Sequence, residues 1–221
     1  MHVMQTRGII PQIIRNDDGL YDGDLRYYFK IAFNAKNVQA PYHNFRHMLH
    51  VTMLCTSALE FYKGTRYELS GREARELLIA GLFHDFDHTG RTGNDDLNIE
   101  YALRGLEKHL LLHDQPSIDR IRGMIKGTQF PYVIDASALS LGGKILRDAD
   151  ASQAFSVAWI QQVIFGLAEE MGTTPLQVLQ SQKKFLGKIE FHTDWAKFMF
   201  KESGQIEEKI REAEDFLEFL E

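Results

Sequence analysis

Helical periodicity constrains this chain more than any other feature, because it runs through the whole sequence without a competing strand pattern. The 221 residues include only five prolines, and all of them fall between helical segments. Alternation of β-branched and polar residues, which is typical of half-buried strands, is nearly absent. We therefore predict an all-α fold and one compact multi-helix domain over residues 1–221. Its core covers about residues 25–200, and a C-terminal helix covers about residues 205–220.

Local signals place the ends of several helices. Ser70 with Glu73 forms the pattern of a capping box, and Thr174 followed by Pro175 is typical of an N-cap and first helical position. A loop is predicted from Gly90 to Asp95. The predicted helices cover about residues 25–35, 44–62, 70–84, 96–112, 117–126, 144–165, 175–191, 195–200 and 205–220.

Composition excludes several classes of protein. Hydrophobic residues make up 44% and charged residues 25%, as in ordinary globular proteins. No apolar run is long enough to span a membrane, and residues 1–11 do not resemble a signal peptide. A net charge of −6 without a long Lys/Arg run disfavours duplex nucleic acid as a partner. The single cysteine, Cys55, excludes an internal disulfide and indicates the cytoplasm, whereas self-association stays open.

Histidine is the unusual residue, since five of the nine lie between residues 43 and 88. His43 and His47 are four residues apart, as are His84 and His88, so that a helix would place each pair on one face. Asp85 lies directly beside this second pair. Imidazole nitrogens suit Zn²⁺ or Fe²⁺, and added carboxylates suit Mg²⁺ or Mn²⁺. A mixed set that leaves positions open for water is typical of a hydrolytic metal site.

The order of the motifs resembles a known family. The motifs are Tyr42-His43-Asn44-x-x-His47, His84-Asp85-x-Asp87-His88-x-Gly90, Ala149-Asp150-x-Ser152 and Ser181-Gln182-x-x-Phe185 followed by Trp195. Over about residues 25–200 they resemble the HD superfamily of metal-dependent phosphohydrolases. Within that superfamily they are most similar to the catalytic domain of class I cyclic-nucleotide phosphodiesterases. Two positions depart from the family pattern, because His50 replaces the usual Asp and Thr89 replaces the usual Pro.

The resemblance implies two divalent metal ions and a set of residues for each task. Zn or Fe would occupy the first site and Mg or Mn the second, which Asp85 would bridge and water would mostly complete. The ligands of the first metal would be His47, His84, Asp85 and Asp150. Asp148 is an alternative to Asp150, although the latter fits the family spacing better.

The resemblance also implies catalytic and substrate-binding residues. His43 would be the general acid, His88 would hydrogen-bond the metal-bound water, and Glu100 would orient the acid. The substrate-binding residues would be Gln182, Phe185 and Tyr42. An alternative interpretation makes Phe185 a core residue of the helix that begins at Pro175, with Gln182 on its polar face.

The implied activity is hydrolysis of the 3′ phosphodiester bond of a 3′,5′-cyclic nucleotide by metal-bound hydroxide, with His43 as general acid. The expected partner is a small-molecule nucleotide. Alternatives with the same metal site are a 5′-nucleotidase or a ppGpp-type pyrophosphohydrolase of the HD superfamily. A di-iron oxygenase would need further histidines on the second metal, and a ligand-sensing domain without turnover would need no intact site.

Overall fold

The computed structural model describes residues 13–14, 16–37, 39–90 and 95–220. Within these ranges the regular structure is helical and no strand is present, which confirms the predicted all-α fold. The predictions for His2, for residues 1–11 and for most of the loop after Gly90 lie outside the described residues. No helix in the described ranges is both long enough and apolar enough to cross a membrane.

Ten α-helices follow in chain order. They are α1 (Arg26–Phe33), α2 (Phe45–Tyr62), α3 (Gly71–Phe83), α4 (Asp95–His109), α5 (Ile118–Lys126), α6 (Leu141–Ala151), α7 (Gly166–Met171), α8 (Pro175–Leu186), α9 (Asp194–Ala196) and α10 (Gln205–Leu220). Short 3₁₀ segments cover Leu112–Ser117, Ala136–Ala138 and Ser152–Phe155. π-helical turns cover Ile160–Phe165 and Lys197–Glu202.

Helices α2 and α3 form the centre of the main core. Helix α3 is buried along almost its whole length, because α2, α5 and α6 all pack against it. At Gly81 it comes so close to α2 that an added Cβ would lie 2.9 Å from the Thr52 hydroxyl. Only a residue without a side chain permits this approach without displacing the neighbour. The close crossing brings the end of α3 to the first turns of α2.

A smaller apolar cluster joins the C-terminal helices to the π-helical turn. Trp159 and Val163 pack there with Val178 and Leu179 of α8 and Ala213 of α10. The polar edge of this cluster is also paired. The Trp159 indole donates to Glu212 at 2.9 Å, and the ammonium of Lys209 lies 4.7 Å from the ring centroid.

The signals for helix ends are confirmed where side-chain chemistry determines them. Ser70 and Glu73 form the predicted capping box, and Thr174 forms a second one with Gln177. The last helix occupies Gln205–Leu220, as the periodicity predicts. In each case the capping side chains satisfy backbone N–H groups that the first helical turn leaves without partners, or an apolar stripe gives the helix a buried face.

The predicted continuous helix over residues 144–165 is wrong. Helix α6 ends at Ala151, where the Ser152 hydroxyl donates to the Asp148 carbonyl at 2.5 Å. At Ser156 the backbone is extended, and helical structure resumes only in the π-helical turn. The apolar periodicity continues across the break, which explains the error. Helix α8 also ends at Leu186, before the predicted end at residue 191.

Candidate metal centre

Three helix ends meet beside a cleft and bring four of the predicted residues together. His47 lies in the first turn of α2, where its N–H is capped by the Asn44 side chain at 3.1 Å. His84 and Asp85 directly follow α3, and Asp150 lies in the last turn of α6. All four belong to different turns of backbone, so their meeting depends on packing and not on local sequence.

The ligand atoms of these residues converge within hydrogen-bonding distance. The Nε2 atoms of His47 and His84 are 3.2 Å apart. Asp150 Oδ1 lies 3.0 Å from the Nε2 of His47 and 3.6 Å from that of His84. Asp85 Oδ2 lies 3.2 Å and 3.4 Å from the same two nitrogens. Two imidazoles and two carboxylates therefore point at one common position.

Hydrogen bonds on the far side of each imidazole fix its orientation. His84 Nδ1 donates to the Gly81 carbonyl at 2.8 Å, and His47 Nδ1 donates to the Gln153 Oε1 at 3.2 Å. In the neutral rings this leaves both Nε2 lone pairs facing each other, an arrangement that a cation between them stabilises. Asp85 Oδ2 is buried and receives no hydrogen bond of acceptable geometry within the described residues. These features fit a divalent metal ion.

Electrostatics at this point are those of a site that exchanges protons for a cation. Burial lowers the pKa of His47, but the hydrogen bonds and charges of Asp150 and Asp85 outweigh it and raise the pKa to about 9. Burial raises the pKa of Asp150, and His47 and His84 more than offset this and lower it to about 2. Protonated imidazoles thus balance the carboxylates when no metal is bound, and metal binding releases such protons.

The turn after α3 is held by the second aspartate of the His84 motif. Asp87 has a φ of +60°, the left-handed conformation that Asp tolerates better than most residues. Its N–H donates to the Asn37 side chain at 3.0 Å, and its carboxylate accepts from the Lys36 N–H at 2.8 Å. Thr89, which replaces the usual Pro, donates through its N–H and hydroxyl to the Asn98 side chain. Asp87 therefore shapes the turn and does not point at the metal position.

His43 lies at the edge of the same cleft and is bound to a buried glutamate. Its Nδ1 is 2.6 Å from Glu170 Oε2, and the backbone N–H groups of Tyr42 and His43 both donate to the other carboxylate oxygen. Burial raises the pKa of Glu170, but His43 and these N–H groups outweigh it and lower the pKa. Glu170 is thus an anion that orients the imidazole and leaves Nε2 facing the cleft.

His88 stacks on the imidazole of His43. The two ring centroids are 3.7 Å apart, with an interplanar angle of 21°. The N–H of Gly90 donates to His88 Nδ1 at 3.0 Å, so the neutral His88 ring carries its proton on Nε2. Burial lowers the pKa of His88 to about 4, with smaller opposing contributions from nearby charges. A neutral ring beside His43 can donate one hydrogen bond without adding charge.

The prediction that Glu100 orients His43 is corrected by the structure. Glu100 lies on the exposed side of α4, where it pairs with Arg104 at 2.7 Å. The carboxylate that contacts His43 belongs to Glu170, 127 residues further along the chain. Sequence reasoning missed Glu170 because no local motif marks it. Glu169 and Glu170 are adjacent acids in an ordinary helical pattern, and only the fold shows which of them turns inward.

The predicted base clamp is not brought to the cleft. Gln182 and Phe185 are half-buried on α8, which packs against α10 and is linked to it by an ion pair between Lys183 and Glu214. The cleft is lined by His43, His84, Asp85, Asp95, Asn98, Ile99, Thr128, Phe130 and Asp150. Its aromatic wall is therefore Phe130. The motif at Gln182 resembled the family in order, but here it serves the packing between two helices.

Tyr42 and Asp148 complete the outcome of the sequence predictions. The Tyr42 ring lies 5.0 Å from that of His47, so this predicted substrate-binding residue is at the centre. Asp148 accepts from the Thr193 N–H at 2.8 Å and from its hydroxyl at 2.7 Å. These bonds, with two from the His192 N–H, commit Asp148 to holding the start of α9. Asp150 is the aspartate that faces the metal position.

The fold and this centre define an all-helical protein with a histidine–aspartate site of the kind that metal-dependent hydrolases use. Residues 42–106 match the model of the 3′5′-cyclic nucleotide phosphodiesterase family. The match confirms the resemblance predicted from the motifs and indicates a phosphodiesterase hydrolase. It includes His43, His47, His84 and Asp85 and ends before Asp150. No curated protein compared with the chain matches it.

Proposed function

We propose that the protein hydrolyses the 3′ phosphodiester bond of a 3′,5′-cyclic nucleotide. The observation that carries this proposal is the pair of Nε2 atoms that face each other at 3.2 Å beside the buried, unpartnered Asp85 Oδ2. The family match over residues 42–106 supports the choice of phosphodiester chemistry. A small-molecule nucleotide is therefore the proposed substrate, and the single, buried free thiol of Cys55 is consistent with the reducing cytoplasm.

The first metal would be held by His47, His84, Asp85 and Asp150, with Zn or Fe as the ion that this mixed donor set suits. Asp85 would also contact a second, harder ion such as Mg or Mn. When bound, such ions neutralise the phosphodiester anion and lower the pKa of a coordinated water towards ~7. The burial of three of these side chains excludes bulk solvent from the ligand atoms and strengthens the electrostatic interactions.

His43 is placed to protonate the departing 3′ oxygen. Its Nδ1–H is held by Glu170, so Nε2 is the nitrogen that carries the transferable proton. Stacking on His88 and the two backbone bonds to Glu170 keep the ring from rotating away from the cleft. An alkoxide is a poor leaving group, and proton transfer by a positioned acid contributes roughly 10²–10⁴-fold to such a step.

A substrate panel tests the activity with the full chain loaded with Zn²⁺ and Mg²⁺ or Mn²⁺. We expect cleavage of cyclic AMP or cyclic GMP, and loss of both bound metal and turnover in Asp85→Asn. Asp96→Asn is the matched control, because Asp96 is exposed on α4 beyond the residues that line the cleft. Cleavage of only 5′-nucleotides or ppGpp would replace the proposal with the broader HD-type hydrolase.

His43→Asn tests the proton donor separately. Turnover of the cyclic nucleotide should fall by about 10²–10⁴-fold, because the alkoxide then leaves without a proton. Bis-p-nitrophenyl phosphate should lose far less, since its leaving group is stable as an anion. Metal content should be unchanged. Equal losses on the two substrates would show that His43 is not the general acid.

A further inference from the structure

A second and larger cavity lies along the other side of α2. Its volume is about 1010 Å³, and it shares no lining residue with the cleft at the metal centre. Arg46, His50 and Leu54 line it from α2 at intervals of four residues, which places them on one helix face. The opposite wall comes from the segment that follows α6, including Phe155 and Gln162. Its size is that of a small-molecule site.

One buried polar group in this cavity lacks the partner that folding normally provides. Gln162 is only 8% exposed, and its Oε1 receives no hydrogen bond within the described part of the chain. A buried acceptor without a donor costs about 1–3 kcal/mol, so natural proteins rarely leave one unless a ligand or water completes it. Gln162 also lies in the π-helical turn, a type of distortion that often occurs at functional sites.

The remaining walls offer a flat apolar surface and a cation. The half-buried Phe155 ring is held by stacking on Phe200, with 4.9 Å between centroids. Arg46 is exposed and has no carboxylate within ion-pair distance among the described residues. The acidic lining residue on α2 is Glu60, which the helical rise places about 21 Å from Arg46. The Arg46 end of the cavity is therefore suited to an anion.

We propose that this cavity binds a nucleoside monophosphate. The amino group of the base would donate to Gln162 Oε1, the base would lie against Phe155, and the phosphate would pair with Arg46. A planar donor, an apolar contact and an anion are the three chemical features that the walls complement. This site does not depend on the proposed hydrolysis, because its lining includes none of the residues at the metal centre.

Isothermal titration of the full chain with AMP tests the site. EDTA in the buffer keeps divalent ions from the cleft, whose lining carboxylates then repel the nucleotide. We expect saturable binding at one site and at least about tenfold weaker binding for Gln162→Leu and for Arg46→Gln, as for loss of a hydrogen bond to a charged or buried group. Arg211→Gln, an exposed arginine on α10, should bind as the wild type does.

Two ligand analogues assign each contact. Purine riboside 5′-monophosphate lacks the amino group and should bind more weakly than AMP to the wild type, but equally to Gln162→Leu. Adenosine lacks the phosphate, and its deficit should disappear in Arg46→Gln. Gln162→Leu should unfold at the same temperature as the wild type or higher, which separates loss of binding from loss of folding. Absent binding, or binding that neither variant weakens, would overturn the proposal.

Discussion

Two buried clusters of carboxylates in this protein are built on opposite principles. In the first, Asp114 accepts two bonds from Arg75 at 2.9 Å and one from the Tyr28 hydroxyl at 2.6 Å, and Arg72 adds a third cationic contact. In the second, Asp85 Oδ2 is buried without a hydrogen bond, and two imidazoles direct the same type of atom at one point. The first cluster contains its own cations, whereas the second fits an added one.

This difference separates a structural ion network from a site. Burial raises the pKa of Asp114, but the bonds from Arg75 and Tyr28 outweigh it and lower the pKa. Fixed guanidinium groups remain charged at any physiological pH, so the Asp114 cluster needs no ligand. Histidines lose their protons to a competing cation, so the cluster around Asp85 can be loaded and emptied. Buried charge alone would not have distinguished the two.

The largest expected effect on stability comes from breaking the complete cluster. Arg75→Met leaves the Asp114 carboxylate buried without its main cation, and we expect the free energy of unfolding to fall by roughly 3–5 kcal/mol. Arg72 retains one contact with Asp114, which places the loss at the lower end. Chemical denaturation measures it. The loss should be the same with and without divalent metal.

The companion variant removes both charges of that cluster. Arg75→Met combined with Asp114→Leu should recover much of the lost stability, because replacing a buried ion pair by apolar side chains is often neutral or stabilising. A double variant as unstable as Arg75→Met alone would mean that Arg75 acts mainly through its bonds to the Asp22 and Asp24 carbonyls. The network would then be a backbone clamp and not an ion-pair network.

Divalent metal should stabilise only through the incomplete cluster. At a free Zn²⁺ concentration of 100 times the dissociation constant, the free energy of unfolding of the wild type should rise by about 2.7 kcal/mol. Arg75→Met should show the same increment from a lower starting point. Asp85→Asn should show almost none, and Asp96→Asn should behave as the wild type. An equal increment in Asp85→Asn would place the stabilising metal elsewhere.

The sequence predicts those parts of the centre that depend on short spacings. His43 with His47, and His84 with Asp85, are near neighbours in sequence, and the fold needs only to bring two helix ends together. Glu170 could not be predicted, since its role depends on where α7 packs relative to Tyr42 and His43. The single-domain extent over residues 1–221 stays a prediction.

The errors in the fold arise at positions where periodicity continues but hydrogen bonding changes. Residues 144–165 keep an apolar pattern across the break at Ser152, so the pattern could not reveal that α6 ends there. That ending matters for the site, because it directs Asp150 to the cleft and places Gln153 behind His47. The base clamp at Gln182 was predicted from motif order, and order does not report which side of α8 faces the centre.

The smallest effect should come from the residue that only orients a ligand. Gln153 accepts from His47 Nδ1 at 3.2 Å and donates to the Ser156 hydroxyl at 3.2 Å. Gln153→Leu should weaken Zn²⁺ binding by about 10–100-fold, as is typical for loss of a partner behind a ligating histidine. Gln153→Glu keeps an acceptor and should bind Zn²⁺ at least as tightly as Gln153→Leu binds it weakly relative to the wild type, because a carboxylate makes the imidazole more basic. Competition with a chromophoric chelator measures both affinities. Equal weakening in the two variants would show that Gln153 supports the packing after α6 and not the orientation of His47.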